Sequence, residues 1–453
     1  MKHVLTLLAA QFSALHAADA VSATAKPNIL VIVADDLGYA DVGFNAAHKP
    51  EVVTPHLDSL AKQGVICRQG YITGNVCSPT RAGLMTGRYQ QRLGLYTAGE
   101  AGSGVPMSET LFPRYLKAAG YVTGQFGKWH LGPTPEWSPA LRGFDEVFGF
   151  LGRGAHDYFR LDDPEDPIYR GLTPVKETGY LTDRLGEETV AFITGHSDAP
   201  FFAYLAFNAV HAPLQAPDDE IAKFNTGDKS RDTRLAMGKR MDDAIGRIIG
   251  TLKEQGRWEN TLTFFISDNG GPLKQSADNS PLRGGKHNDY EGGIRTPFLV
   301  CWPAKLKPGE SQAVVSSLDI LPTALAAANI EANPVQAGIP RPFDGINLLP
   351  VFSGKTVQQP RDLFWSSGGK EGWWAIRSGD WKLVSENGRI SLFDLSKDIS
   401  ESVDLTAQQS GKVAELTKKH DAWLSGMAEP IHGGGKKDLA GQENTKSRKK
   451  KKN

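Results

Sequence analysis

Asn28-Ile29-Leu30-Val31-Ile32-Val33 is a continuous apolar, β-branched run with no polar alternation, the mark of a strand covered on both faces. Phe201 to Phe207 and Thr261 to Ser267 repeat the pattern, and Val65–Tyr71, Tyr121–Phe126 and Phe298–Cys301 read as further strands. Helical segments alternate with them. Thr54–Ala61 reads as a capped helix stopped by Gly64, Thr110–Ala119 as one ended by Gly120, and Leu181–Thr194 as a third. Met237, Met241, Ala244, Ile245, Ile248 and Leu252 recur at helical spacing and predict a core-facing stripe ending near Gly256. Alternation of this kind over residues 28 to 330 predicts an α/β fold with a mostly parallel central sheet sandwiched by helices. Residues 160 to 180 read as irregular and exposed. Beyond about Pro350 the pattern changes. Trp374–Arg377, Trp381–Val384 and Leu392–Leu395 alternate as short antiparallel strands, and Val413–Trp423 is helical by period.

The chemistry sits where strands end. Asp35-Asp36 directly follows the first strand, and Asp268-Asn269 follows the run ending at Ser267. Open α/β sheets build their sites at those carboxyl ends. An acidic turn is the plain alternative for an isolated Asp-Asp; its position after a buried strand favours a metal site. Lys128 and His130 follow another strand and, two apart on extended chain, share one face. His211 stands just past a strand and ahead of Pro213, and Lys286 lies in a glycine-rich turn. Gly149 to Tyr158 is a glycine-rich aromatic loop, read either as an ordinary structured loop or as a substrate subsite with His156, Asp157 and Tyr158 as specificity candidates.

Cys77-Ser78-Pro79-Thr80-Arg81 opens a short apolar run closed by Gly87. Ser78 suits an N-cap and Pro79 the first helical position, which leaves Cys77 just outside a helix N-terminus, where free N–H groups favour an anion. Arg81 adds a fixed charge one turn in. Cysteine at large is a small buried hydrophobe or a reactive thiolate, and neither reading explains the whole string.

Cys-x-Pro-x-Arg followed by Leu-x-Thr-Gly resembles the signature of the type I sulfatases. Asp35-Asp36, Gly127-Lys128-Trp129-His130, His211-Ala212-Pro213, Asp268-Asn269 and Lys286 resemble further motifs of that family. The resemblance spans about residues 26 to 425 and implies the alkaline-phosphatase-like fold with a small C-terminal antiparallel sheet plus helix. It implies that a maturation enzyme oxidises Cys77 to Cα-formylglycine (3-oxoalanine), whose hydrate is the nucleophile. Asp35, Asp36, Asp268 and Asn269, with the modified Cys77, form an oxygen donor set. Such donors select a hard cation such as Ca²⁺ or Mg²⁺ over zinc, and the family implies Ca²⁺; a soft thiolate would fit this metal poorly. In the implied reaction the hydrate attacks sulfur while the metal, Arg81, Lys128 and Lys286 stabilise the sulfuryl oxygens. His211 or Lys286 protonates the departing alcohol, and His130 takes the proton whose loss expels sulfate. A phosphonate monoester or phosphodiester hydrolase of the same superfamily is the alternative enzyme, and a non-catalytic carbohydrate-binding pseudosulfatase the alternative of another class.

The first twenty residues read as a signal peptide, with a basic start, an apolar Val4–Leu15 and an Ala18-Asp19-Ala20 cleavage site. Val4–Leu15 is too short to span a bilayer, and no later stretch is apolar enough. A periplasmic or secreted protein follows, and with it a sulfated carbohydrate as substrate, whether polysaccharide or glycosaminoglycan fragment. The expected organisation is a signal peptide over 1–20, a catalytic domain over 26–350, a C-terminal subdomain over 351–428 and a disordered basic tail over 433–453. From Lys436 onward the tail carries +6 and the remainder −6, so nothing in the body points to nucleic acid. Cys67 and Cys301, with Cys77 modified, leave one disulfide pairing open.

Overall fold

In the computed structural model, residues 26–431 are described apart from 99–103, 153, 332–334, 337–338 and 369–371. The expected signal peptide, the basic tail and Arg153 of the glycine-rich loop lie outside the described residues. The first strand, β1 (Asn28–Ala34), is fully buried and alternates its side chains between two cores. Ile29, Val31 and Val33 enter one; Leu30 and Ile32 enter the other. This is the geometry that a run without polar alternation requires.

Around β1 stand β2 (Val65–Tyr71), β3 (Val122–Lys128), β4 (Glu146–Phe150), β5 (Ile168–Arg170), β6 (Thr173–Val175), β7 (Phe201–Ala206), β8 (Thr261–Ser267), β9 (Phe298–Cys301) and β10 (Gly309–Ser316). They form one sheet in the order β10-β2-β9-β8-β1-β7-β3-β4-β5-β6. The central strands β8, β1, β7, β3 and β4 run parallel, while β9 is antiparallel to both its neighbours and β5 and β6 continue antiparallel at one edge. Residues 160 to 180 are therefore not wholly irregular. They supply two edge strands of three residues each, too short to show a period. The strand β10 also escapes the sequence, because its exposed, polar first half carries no buried run.

Helices cover both faces. The principal ones are α1 (Pro55–Gln63), α2 (Cys77–Thr86), α3 (Phe112–Ala118), α4 (Leu181–Gly195) and α5 (Lys229–Glu254). The predicted stripe on α5 is buried, and Gly256 follows in the left-handed region at φ +65°. The N-terminus of α1 differs from expectation. The Thr54 hydroxyl donates to Asp58 instead of capping. The Asp242 carboxylate on α5 accepts the N–H groups of His56 (3.0 Å) and Leu57 (2.7 Å), so the free donors of one helix are satisfied from another.

The C-terminal part is a four-stranded antiparallel sheet of Asp362–Ser366, Trp374–Ser378, Trp381–Glu386 and Arg389–Asp394, with the helix Ser410–Leu424 against it. Lys382, with no exposed surface, lies 2.9 Å from Glu291 and 2.9 Å from Glu401. Tyr71 at the end of β2 donates to Glu291 at 2.6 Å. The open pairing of Cys67 with Cys301 is not made: all three cysteines are free. Cys67 points into one core and Cys301 into the other, with the sheet between them.

Lys382→Met leaves buried Glu401 without its cation and Glu291 with Arg295 alone. The expected loss is ~3–5 kcal/mol, read as a lower midpoint in urea unfolding; an unchanged midpoint would show that the junction contributes nothing.

Candidate active site

Four adjacent parallel strands, β8, β1, β7 and β3, end at one basin, and α2 begins there. Cys77 is the first residue of α2, two places earlier than the start at Pro79 that a Ser78 cap would give. The Ser78 hydroxyl is spent elsewhere, donating to the His130 carbonyl at 2.8 Å. Gly87, at φ +65°, closes the helix as expected.

The charges interlock in pairs. Asp35 accepts from Lys128 Nζ at 2.5 Å and faces Cys77 Sγ at 3.6 Å. Lys286 Nζ lies 2.7 and 2.9 Å from the two oxygens of Asp36 and 3.5 Å from Cys77 Sγ. Arg81 donates from Nε (2.9 Å) and Nη2 (2.6 Å) to one oxygen of Asp268, and from Nη1 to the Lys128 carbonyl at 3.0 Å. The other oxygen of Asp268 accepts the Asp36 N–H at 3.3 Å. His211 Nδ1 donates to the Ala212 carbonyl at 2.6 Å, which leaves Nε2 facing Asp36 at 3.6 Å. One atom each from Asp35, Asp36, Cys77 and His211 lies within 4.8 Å of the others.

Burial and charge pull in opposite directions here. Burial pushes Asp35 up against the pull of Lys128. Burial would raise Asp36 as well, but Lys286 and His211 hold it well below the ordinary range. Burial alone would raise the Cys77 thiol, yet Lys128 and Lys286 bring it down to about 6. Desolvation disfavours the His211 cation, and Asp35 and Asp36 outweigh it, lifting the imidazole to about 9. Burial and then Lys128 hold His130 well below its usual value, as a neutral ring.

Asn269 tests whether the basin suits a cation. Its side chain has no exposed surface; Nδ2 donates to Asp36 at 2.6 Å, while Oδ1 is buried with no hydrogen-bond partner. An orphaned amide oxygen beside three carboxylates fits a hard divalent ion. The second acidic group, His56 with Asp242 and Asp243, is accounted for by the cap on α1.

Nearly all the expected residues converge. Asp35, Asp36, Cys77, Arg81, Lys128, His211, Asp268, Asn269 and Lys286 share the basin through the contacts above. Arg81 differs in how it can act. With no exposed surface and all three nitrogens engaged, it fixes Asp268 and the end of β3. His130, at φ +58°, lies beside Gly154; a Cβ there would stand 2.9 Å from its imidazole. The three loop candidates do not turn toward the basin. Both ring nitrogens of His156 meet backbone carbonyls, those of Asp157 and Asp166. Asp157 accepts from two backbone N–H groups and from Gln215. Tyr158, fully buried, donates its hydroxyl to the carbonyls of Asn208 (2.6 Å) and His211 (2.9 Å). They hold the loop and the His211 turn. Gly154 and Asn75, which donates to Asp289 at 2.7 Å, are supports that sequence reading missed, since neither carries a motif.

A mostly parallel sheet that gathers acids, a helix-start cysteine and paired cations at its carboxyl edge defines an alkaline-phosphatase-like hydrolase. The sulfatase family pattern matches residues 27–330, and that of the C-terminal part of N-sulphoglucosamine sulphohydrolase matches residues 285–427. The chain is 34% identical over 402 residues to an uncharacterised Escherichia coli sulfatase, YdeN, covering 76% of this chain and 69% of that one. To human N-acetylgalactosamine-6-sulfatase it is 35% identical over 370 residues, covering 75% and 69%. The crystal structure of Ps i-CgsB in complex with k-i-k-neocarrahexaose superposes with a TM-score of 0.85 at 35% identity, covering 92% of this chain and 96% of that one. The chain belongs to the sulfatase family and is a sulfuric ester hydrolase.

Two outcomes are expected. Gly154→Ala, strained at φ +73° and pressed on His130, should cost about tenfold or more in kcat while metal affinity is kept; unchanged kcat would remove His130 from the reaction. A hard divalent cation at 100 times its Kd should stabilise the protein by ~2.7 kcal/mol in thermal unfolding. Asn269→Ala should lose most of that gain, and an undiminished gain would place the ion elsewhere.

Proposed function

We propose that this chain removes sulfate from sulfated carbohydrates, using Cys77 as Cα-formylglycine and a bound Ca²⁺, with Mg²⁺ the lesser fit. The observation that carries the reading is the setting of Cys77. It opens a helix at the strand ends, between Asp35 and Lys286, beside an amide oxygen of Asn269 that has no partner. Asp35, Asp36, Asp268 and Asn269 would hold the ion, which when bound polarises the sulfuryl oxygens as a Lewis acid. Oxidised position 77 supplies the attacking oxygen.

The chain's own groups do the rest. Lys128 and Lys286 bring positive charge to the position where sulfate charge develops. Arg81 keeps Asp268 aimed at the basin. His211 carries a proton on Nδ1 that is locked to a carbonyl, so only Nε2 can serve the leaving oxygen. The neutral His130 ring is suited to accept a proton. Its Nδ1 is buried without a hydrogen-bond partner.

A carbohydrate substrate is supported by the names of the relatives: one is called after N-acetylgalactosamine, and another was solved with a neocarrahexaose. The apolar N-terminal stretch supports a periplasmic or secreted location, where such polymers are met. Among the described residues no helix is long and apolar enough to cross a membrane. A phosphonate monoester hydrolase shares the fold at a TM-score of 0.65 and 20% identity, a likeness of fold alone. The Gly127-Lys128-Trp129-His130 string favours sulfate.

Mass spectrometry of the tryptic peptide Gln69–Arg81 from the native host should show a species lighter than the thiol form and inert to alkylation. Sulfate release should then exceed phosphonate-ester turnover and vanish in Cys77→Ala. A fully alkylatable Cys77 with no sulfate release would leave a binding protein instead.

A further inference from the structure

Lys286 is carried by a turn of four residues, Gly285 to Asn288, closed by Asn288 N–H donating to the Gly285 carbonyl at 3.3 Å. The third residue of that turn, His287, has φ +78°. This is the left-handed region, where glycine or asparagine is the ordinary choice and a histidine is strained. Seven described residues other than glycine have positive φ. Asn329 and Asn387 are of the tolerant type, and Ser276 closes a short 3-10 turn. Asp36 and His130 belong to the basin. His287 is the third of the seven to stand at this one site.

Two contacts hold the strained residue in place. Its backbone N–H donates to the Asn75 carbonyl at 3.0 Å, two residues before Cys77. Asn75 is itself fixed by its side-chain bond to the buried Asp289 at 2.7 Å. The imidazole, by contrast, reaches solvent and makes no hydrogen bond with any described residue. It nevertheless lies within electrostatic range of Lys286, Asp36, Cys77 and His211. Burial of part of the ring and the Lys286 ammonium lower its pKa, so at neutral pH it is an uncharged donor and acceptor. A strained residue whose backbone is locked and whose polar ring is free, at the mouth of a reacting centre, is strain kept for a contact the protein does not make with itself.

We propose that His287 is a specificity-determining residue whose imidazole hydrogen-bonds a hydroxyl of the sugar bearing the scissile sulfate. The inference rests on the sulfatase reading above. A neutral ring suits a hydroxyl better than a second sulfate group, and the adjacent Lys286 is already committed to the scissile one.

The test uses the matured full chain, a carrageenan oligosaccharide and N-acetylgalactosamine 6-sulfate as sugar substrates, and a nitrophenyl sulfate that has no sugar. His287→Gly places glycine where the backbone asks for it, so the variant should melt at or above the wild-type temperature. For the better sugar substrate, kcat/KM should fall by about tenfold or more beyond any fall on the aryl sulfate, mostly through KM. His287→Asn, tolerant of positive φ and still polar, should recover part of that loss. Equal losses on sugar and aryl esters, or no loss on either, would overturn the proposal. A wild-type protein with converted Cys77 that released sulfate from none of the three would overturn the sulfatase reading, and the proposal with it.

Discussion

Arg81 and Asp268 meet with no surface of either exposed, and the order of the basin depends on that pair. Because Arg81 takes one oxygen of Asp268, the other is left for the Asp36 N–H, which sets the turn at the end of β1. Lys128 then answers Asp35 and Lys286 answers Asp36. Each acid is matched by a cation from a different element, so the strand order of the sheet becomes an order of charges. Buried charges are costly unless matched in this way, and a sheet edge that carries three of them is built for chemistry more than for stability.

The C-terminal sheet takes part in this order. Trp365 donates to the Ile72 carbonyl at 2.6 Å, and Ser367 receives the Asn75 amide at 3.2 Å. Lys382 reaches Glu291, just after the turn that carries Lys286. The loops on either side of Cys77 and Lys286 are therefore backed by a separate sheet. A chain cut before that sheet would keep its central strands and lose the rigid backing of the two loops that meet over Cys77.

Much of the site could be read from the sequence because its residues end buried strands or follow them by one or two positions. Asp35, Asp36, Asp268, Asn269 and Lys128 are placed by the strands alone. What could not be read depends on approach between distant segments. Gly154 matters only because His130 comes to lie on it. Asp242 sits mid-helix beside Asp243, and nothing local shows that it caps another helix. Tyr158 looks like a platform for sugar until its hydroxyl is found between two carbonyls. His287 reads as an ordinary turn residue, since its φ is not written in its type. The edge strands at 168–170 and 173–175 are too short for alternation to register.

The placement of the cysteines has a consequence for how the folded chain meets oxidants and thiols. Cys67 and Cys301 face opposite sides of one sheet, each buried, with burial raising both thiols, Cys301 to about 12. Neither is a competent nucleophile at neutral pH, and the sheet keeps the two apart. The folded chain thus has no internal thiol partner for its redox state to depend on. Glutathione or oxygen can alter the folded protein's thiol chemistry through one position, Cys77, which is the position whose oxidation state the proposed activity turns on.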